Sequence, residues 1–146
     1  MIANSCKAAG VLSDLNDEKL NSLYDFGKNI GLAFQVVDDI LDFTGNDKQL
    51  GKPATSDLAS GYLTAPVLYA LEENKKLSVL INRELAEKDD LDNALNIIMN
   101  SKAIKSSRKL AEDFAMRSKE AIVWLPDSEY KRALMALPEF VLGRLY

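Results

Sequence analysis

Three carboxylates crowd five consecutive positions: Asp38, Asp39 and Asp42. On a helix, Asp38 and Asp42 stand one turn apart and repel, while Asp39 lies three residues before Asp42. No lysine or arginine occupies a position three or four residues from any of them. The cluster also falls near the expected C-terminal end of its helix, where the dipole's negative pole makes anions less welcome. Negative potential therefore builds locally without compensation. The flanking Phe34, Val37, Ile40, Leu41 and Phe43 argue against a merely solvated acidic helix end. A hard divalent cation answers this pattern best, and Mg²⁺ is usually held by one or two carboxylates together with phosphate oxygens and water. A calcium-binding EF-hand does not fit, because neither the central glycine nor the closing glutamate follows at the required spacing from Asp38 or Asp42. Lys52 follows in a loop between Gly51 and Pro53. There it could reach a phosphate or simply be solvated.

The rest of the chain narrows the chemistry. Its 146 residues correspond to one domain with room for a core, and 47% are hydrophobic. The net charge of −4 disfavours a nucleic-acid partner. A single cysteine, Cys6, excludes an internal disulfide or a cysteine-cluster zinc site. With no histidine, the Ser-His and Cys-His nucleophile systems and the zinc hydrolases are excluded. Catalysis would have to run on carboxylates, lysine, arginine, hydroxyls or an oxygen-bound metal. No stretch approaches the ~20 apolar residues of a membrane span. The first residues lack the marks of a secretory signal and read as the middle of an amphipathic helix, so the chain is expected to begin inside a larger fold.

The elements that must position these groups all read as helices, so the expected fold class is all-α, a single domain over 1–146. Residues 2–12 carry Ile2, Cys6, Ala9 and Leu12 at near-helical spacing. Asp14 to Asp17 form a polar break in which Asn16 or Asp17 can cap the next helix. That helix, over ~18–43, places Leu20, Leu23, Tyr24, Gly27, Ile30, Gly31, Phe34, Val37, Asp38 and Leu41 on one face. Asp38 thus interrupts an apolar stripe. Gly27 and Gly31 permit the close approach of another helix or a ligand. Thr44 to Thr55 reads as a loop. The next helix begins near Thr64, a plausible N-cap, with Pro66 in its first turn. Further helices are expected at ~77–87, ~91–99, ~104–124 and ~127–145, the last two parted by Pro126. Asp89, Asp90 and Asp92 read as a capping cluster. No alternating, turn-bounded run supports a strand.

At the cluster, the run Gly31-Leu32-Ala33-Phe34-Gln35-Val36-Val37-Asp38-Asp39-Ile40-Leu41-Asp42-Phe43 resembles the second aspartate-rich motif of the trans-type polyprenyl diphosphate synthases. Leu50 to Pro53, Ser56-Asp57-Leu58 and Gly61 to Pro66 continue that resemblance in order. The likeness extends over essentially the whole chain as the C-terminal part of the family's fold. Within the family it resembles the long-chain, solanesyl diphosphate synthase-like group of cyanobacteria and plastids. The resemblance implies an all-α bundle around a central cavity and a prenyltransferase of isoprenoid biosynthesis. That enzyme adds isopentenyl diphosphate to an allylic diphosphate with Mg²⁺, in bacterial cytoplasm or plastid stroma. It implies Asp38 as principal metal ligand, with Asp39 and Asp42 acting directly or through metal-bound water. Phe34 and Gln35 would line the cavity beside the allylic chain, Lys52 would contact the diphosphate, and Asp57 would lie near the cluster. The chain is expected to form a homo-oligomer or to pair with a complementary chain.

Two departures stand out. Tyr62 takes the place of a second lysine that many relatives carry, which removes one phosphate contact. The first aspartate-rich motif, its arginine pair and a lysine-threonine pair lie upstream in relatives and are missing from these residues. The chain alone is therefore expected to be inactive. A non-catalytic helical subunit that pairs with a complementary chain is the alternative reading. Near the C-terminus, Arg144 could approach a diphosphate or remain a surface residue.

Overall fold

The computed structural model describes residues 1–45 and 55–145. Among them it forms eight helices and no strand, the all-α class that the periodicity predicts. They are α1 (Ile2–Leu12), α2 (Asp17–Thr44), α3 (Ser56–Ala59), α4 (Ala65–Glu73), α5 (Lys75–Asn82), α6 (Asp90–Met99), α7 (Ala103–Ala121) and α8 (Glu129–Gly143). The chain divides into two compact units, one of residues 1–37 with 110–146 and one of residues 38–109.

Local chemistry sets most boundaries. After α1, Asp14 adopts a left-handed φ of 51°, and the Leu15 amide donates to the Gly10 carbonyl at 3.2 Å. This closes the helix in the manner of a Schellman turn. Asn16 then caps α2, its Oδ1 accepting the Lys19 amide at 3.1 Å. Asn74 and Ser128 cap α5 and α8 in the same way. Two expected boundaries need correction. The helix expected over ~77–87 runs from Lys75 and stops at Asn82, because Glu84 and Leu85 turn to φ 57° and 54°. The helix expected over ~104–124 ends at Ala121, after which Ile122 and Val123 donate to carbonyls three residues back. The short helix α3 lies in a stretch without a recognisable period. Most of the expected Thr44–Thr55 loop, including Lys52, lies outside the described residues.

In the first unit, α1 lies directly on α2. A side chain at Gly27 would meet the Ala3 Cα and Cys6 Sγ at 2.8 Å, so the glycine is what permits this approach. Gly31 has only the Ile2 side chain nearby, at 3.7 Å, and does not share that role. The Trp124 indole donates to the Ser22 hydroxyl at 2.6 Å, and Ser22 in turn donates to the Ala121 carbonyl. Lys19 lies 5.0 Å above the same indole ring. This polar chain joins the start of α2 to the turn after α7. α8 continues through the buried Pro138, a residue that cannot donate within the helix.

In the second unit, Phe43, Leu58, Val67, Leu77, Ile98 and Ala103 belong to one buried cluster, with Leu85, Leu91 and Ile104 packed against it. α3 to α6 thus gather around the C-terminal end of α2.

Candidate functional site

The buried stripe of α2 contains Ala33, Val36, Val37, Ile40 and Phe43. Of the stripe expected from spacing, Gly27, Ile30 and Val37 are buried, while Gly31, Asp38 and Leu41 are only half-buried. Phe34 is 43% exposed, Gln35 is exposed, and Asp38 is half-buried. The two remaining carboxylates behave differently: Asp39 is 8% exposed and Asp42 is fully buried. One hundred degrees of rotation per residue separates neighbours on a helix, so adjacent aspartates meet different surroundings.

Burial of a carboxylate requires partners. Asp42 finds them at α3. Its Oδ2 accepts the Asp57 amide at 3.2 Å, and its Oδ1 accepts the Ser56 hydroxyl at 3.4 Å. Its main-chain carbonyl accepts the Thr55 amide at 2.8 Å. Thr55 holds a left-handed φ of 67°, a costly conformation for a β-branched residue that these bonds help to maintain. Asp39 Oδ2 accepts the Ala65 amide, the first of α4, across a long 3.4 Å. Thr64 occupies the expected N-cap position, but its side chain does not cap α4, and its buried hydroxyl has no hydrogen-bond partner. The cap comes instead from a helix 26 residues earlier.

The structure therefore holds the Asp57 main chain against Asp42 in the second unit, while Asp39 meets the start of α4 and Asp38 lies on the same turn of α2 as Asp39. The Asp57 main chain is held against Asp42, and the Asp57 carbonyl accepts the Tyr62 amide at 2.9 Å. Tyr62 itself is exposed. Ser56 and Thr55 are the residues that sequence reasoning did not single out as partners of Asp42. Lying 13 and 14 positions away along the chain, they leave no periodic signal. In the first unit, the Arg144 guanidinium lies 4.6 Å from the centre of the Phe34 ring, a cation–π pair.

The donor set bears on the metal. Among the described residues, no three acidic or cysteine side chains are gathered closely enough to hold a cation by themselves. The arrangement does not fit a closed protein cage. It fits the Mg²⁺ habit of taking one or two carboxylates and completing its shell with phosphate oxygens and water.

The cluster at Asp89, Asp90 and Asp92, expected as a cap, acts instead through an ion pair of Asp90. Asp89 makes no capping bond through its side chain. Asp90 is buried and takes both arms of Arg83, one at 2.7 Å from Nε, together with the Glu87 amide at 3.1 Å. The hydrogen bonds from Arg83 hold the Asp90 carboxyl below the usual carboxylate range.

The solved structures on which this chain superposes share its all-α fold, which is of the isoprenoid-synthase type. The family model for polyprenyl synthetase matches residues 1–98, and the chain belongs to that family. It is 48% identical over its full 146 residues to a prenyl transferase of Synechocystis, covering 45% of that protein. It is 42% identical over 145 residues to the chloroplastic solanesyl diphosphate synthase 2 of Arabidopsis thaliana, covering 35% of it. Among solved structures, an Arabidopsis medium/long-chain prenyl pyrophosphate synthase superposes with a TM-score of 0.87 at 38% identity, over 99% of this chain and 50% of that one. A polyprenyl synthase from Caulobacter crescentus, solved with calcium and isoprenyl diphosphate, superposes at 0.84 with 31% identity, over 99% of this chain and 46% of that one. The chain thus spans about half the length of the relatives it matches. No helix among the described residues is long and apolar enough to cross a membrane.

Proposed function

We propose that this chain supplies one Mg²⁺- and diphosphate-binding wall of a prenyltransferase that adds isopentenyl diphosphate to an allylic diphosphate. The observation that carries the reading is the carboxylate-bearing end of α2. Asp38, Asp39 and Asp42 stand there within two turns, the first half-buried and the other two buried. The Caulobacter relative, solved with a divalent cation and an isoprenyl diphosphate, supports it. Asp38 would hold Mg²⁺ by a carboxylate oxygen. An ion held there would supply positive charge to offset that of a departing diphosphate. Phe34 and Gln35, one turn before Asp38 on α2, would lie beside the allylic chain, and Lys52 would contact the diphosphate. Asp57 would stand at the edge of the same site. Titration calorimetry with an isoprenyl diphosphate and Mg²⁺ tests this. Asp38→Ala should weaken binding at least about tenfold, the loss of one charge-assisted contact. Equal affinities in the two proteins would remove the metal reading.

A second reading, a helical subunit that pairs with a complementary chain, has its own support. Val11, Leu12, Tyr130 and Phe140 leave more than half of their surface exposed. Apolar surface of this kind promotes association. Light scattering after size exclusion distinguishes the cases, since a stable monomer at high concentration would count against pairing with a second copy.

A further inference from the structure

We infer that the outer face of α8 is a docking seam for a helix from the part of the synthase that the relatives carry beyond these residues. Tyr130, Ala133, Leu137, Phe140 and Arg144 follow one another at steps of three, four, three and four. That is the spacing of a seam between two packed helices, sustained over two heptads. All five residues are exposed, Tyr130 at 75% and Phe140 at 74%. The other sides of α8 are already in use. Pro138 and Val141 are buried. Arg132 pairs with Asp127 at 3.0 Å and Glu139 with Lys119 at 2.5 Å, which gives the helix a charged, solvated flank. The seam belongs to neither side. Single exposed apolar residues are ordinary, but a periodic row along a helix of 15 residues marks a surface that association covers. A side chain at Gly143 would meet nothing within 4 Å among the described residues, so this chain leaves that side open. Arg144 ends the row with its guanidinium over the ring of Phe34, itself 43% exposed, so the bare surface passes from α8 onto α2. The relatives identify the occupant. This chain matches about half of each, and the other half is of similar length. In an all-α fold, an uncovered helix seam on one half is buried by a helix of the other. The inference goes beyond the metal reading and does not depend on it.

The test uses the 146-residue chain and, as probe, the part of the Synechocystis prenyl transferase that lies outside the match. The two are co-expressed as separate chains and, in parallel, joined as one polypeptide. Mass is read by light scattering after size exclusion, and side-chain exposure by hydroxyl-radical footprinting. The expected result is a one-to-one complex in which Tyr130 and Phe140 become protected, while Val79, 61% exposed on α5, stays labelled. Leu137→Glu should weaken the complex at least about tenfold, the loss of one buried apolar anchor. Val79→Glu should leave it unchanged. Phe140→Glu repeats the test at a position where the packing of α8 on its own unit is least involved. A complex that leaves Tyr130 and Phe140 labelled as in the isolated chain overturns the inference. Where the separate chains do not associate, the joined polypeptide decides: protection of the seam supports the inference and undiminished labelling overturns it. A doubled mass for the 146-residue chain alone, with the seam protected, shows that a second copy is the occupant and overturns the choice of partner. No readout involves Mg²⁺ or a diphosphate, so failure here leaves the metal reading standing, and failure of that reading leaves the seam.

Discussion

Arg83 forks onto Asp90 across seven residues, linking the end of α5 to the start of α6. Asp90 is 1% exposed, whereas more than a third of the Arg83 side chain reaches solvent, where Glu87 adds a contact at 2.7 Å. Planar two-point pairing of this kind is the strong form of a charge-assisted hydrogen bond.

This pair should govern stability in acid. The Arg83 hydrogen bonds lower the folded-state pKa of Asp90 below its unfolded value. Its contribution is therefore complete above about pH 4, the unfolded value, and disappears as the pH falls through the lower folded one. Melting temperatures measured between about pH 6 and pH 2 should drop in acid for the native protein. Arg83→Met should melt lower at neutral pH and lose much of that acid slope. Parallel curves for the two proteins would refute this.

Gly27 and Gly31 should respond oppositely to alanine. At Gly27 the new methyl meets main-chain atoms of α1 at 2.8 and 2.9 Å, so the helices must part. We expect a loss of about 1–3 kcal/mol by urea unfolding, despite alanine's better helix propensity. At Gly31 the nearest atoms lie at 3.7 and 4.0 Å, an ordinary contact. There alanine should be neutral or gain up to about 1 kcal/mol.

Ser22→Ala removes the acceptor of the Trp124 indole and the donor to the Ala121 carbonyl. A cost of about 1–2 kcal/mol is expected for the two part-buried partners left behind. Trp124 is the only tryptophan in the chain, so its emission reports the change directly. An unaltered spectrum and midpoint would show that the polar chain contributes nothing.

The 146 residues alone should show no synthase turnover. Ionising an allylic diphosphate needs groups placed around it on more than one side, and this chain spans about half of its relatives. Labelled product from isopentenyl diphosphate and an allylic diphosphate with the isolated chain would overturn that expectation.

The helical class, the α1 and α2 boundaries, a cap at Asn16 or Asp17 and the aspartate-rich run were legible in the residues because each depends on neighbours within one or two turns. Periodicity also placed Asp38, Asp39 and Asp42 on one helix end. It placed Gly27, Ile30 and Val37 on the buried face but could not say to which side that face would broaden, since Gly31 and Phe34 on one flank and Ala33, Val36 and Ile40 on the other all look apolar. Packing chose the second flank, leaving Asp38 half-buried and burying Asp42 against Ser56 and Asp57. Partners 14, 15 and 26 residues away fixed the orientation of the buried carboxylates. Such long-range bonds leave no local trace, because a carboxylate is drawn to whichever orphan amides the folded chain brings within reach. That is why the sequence by itself determined the chemistry available, while only the tertiary structure decided which oxygens were already engaged.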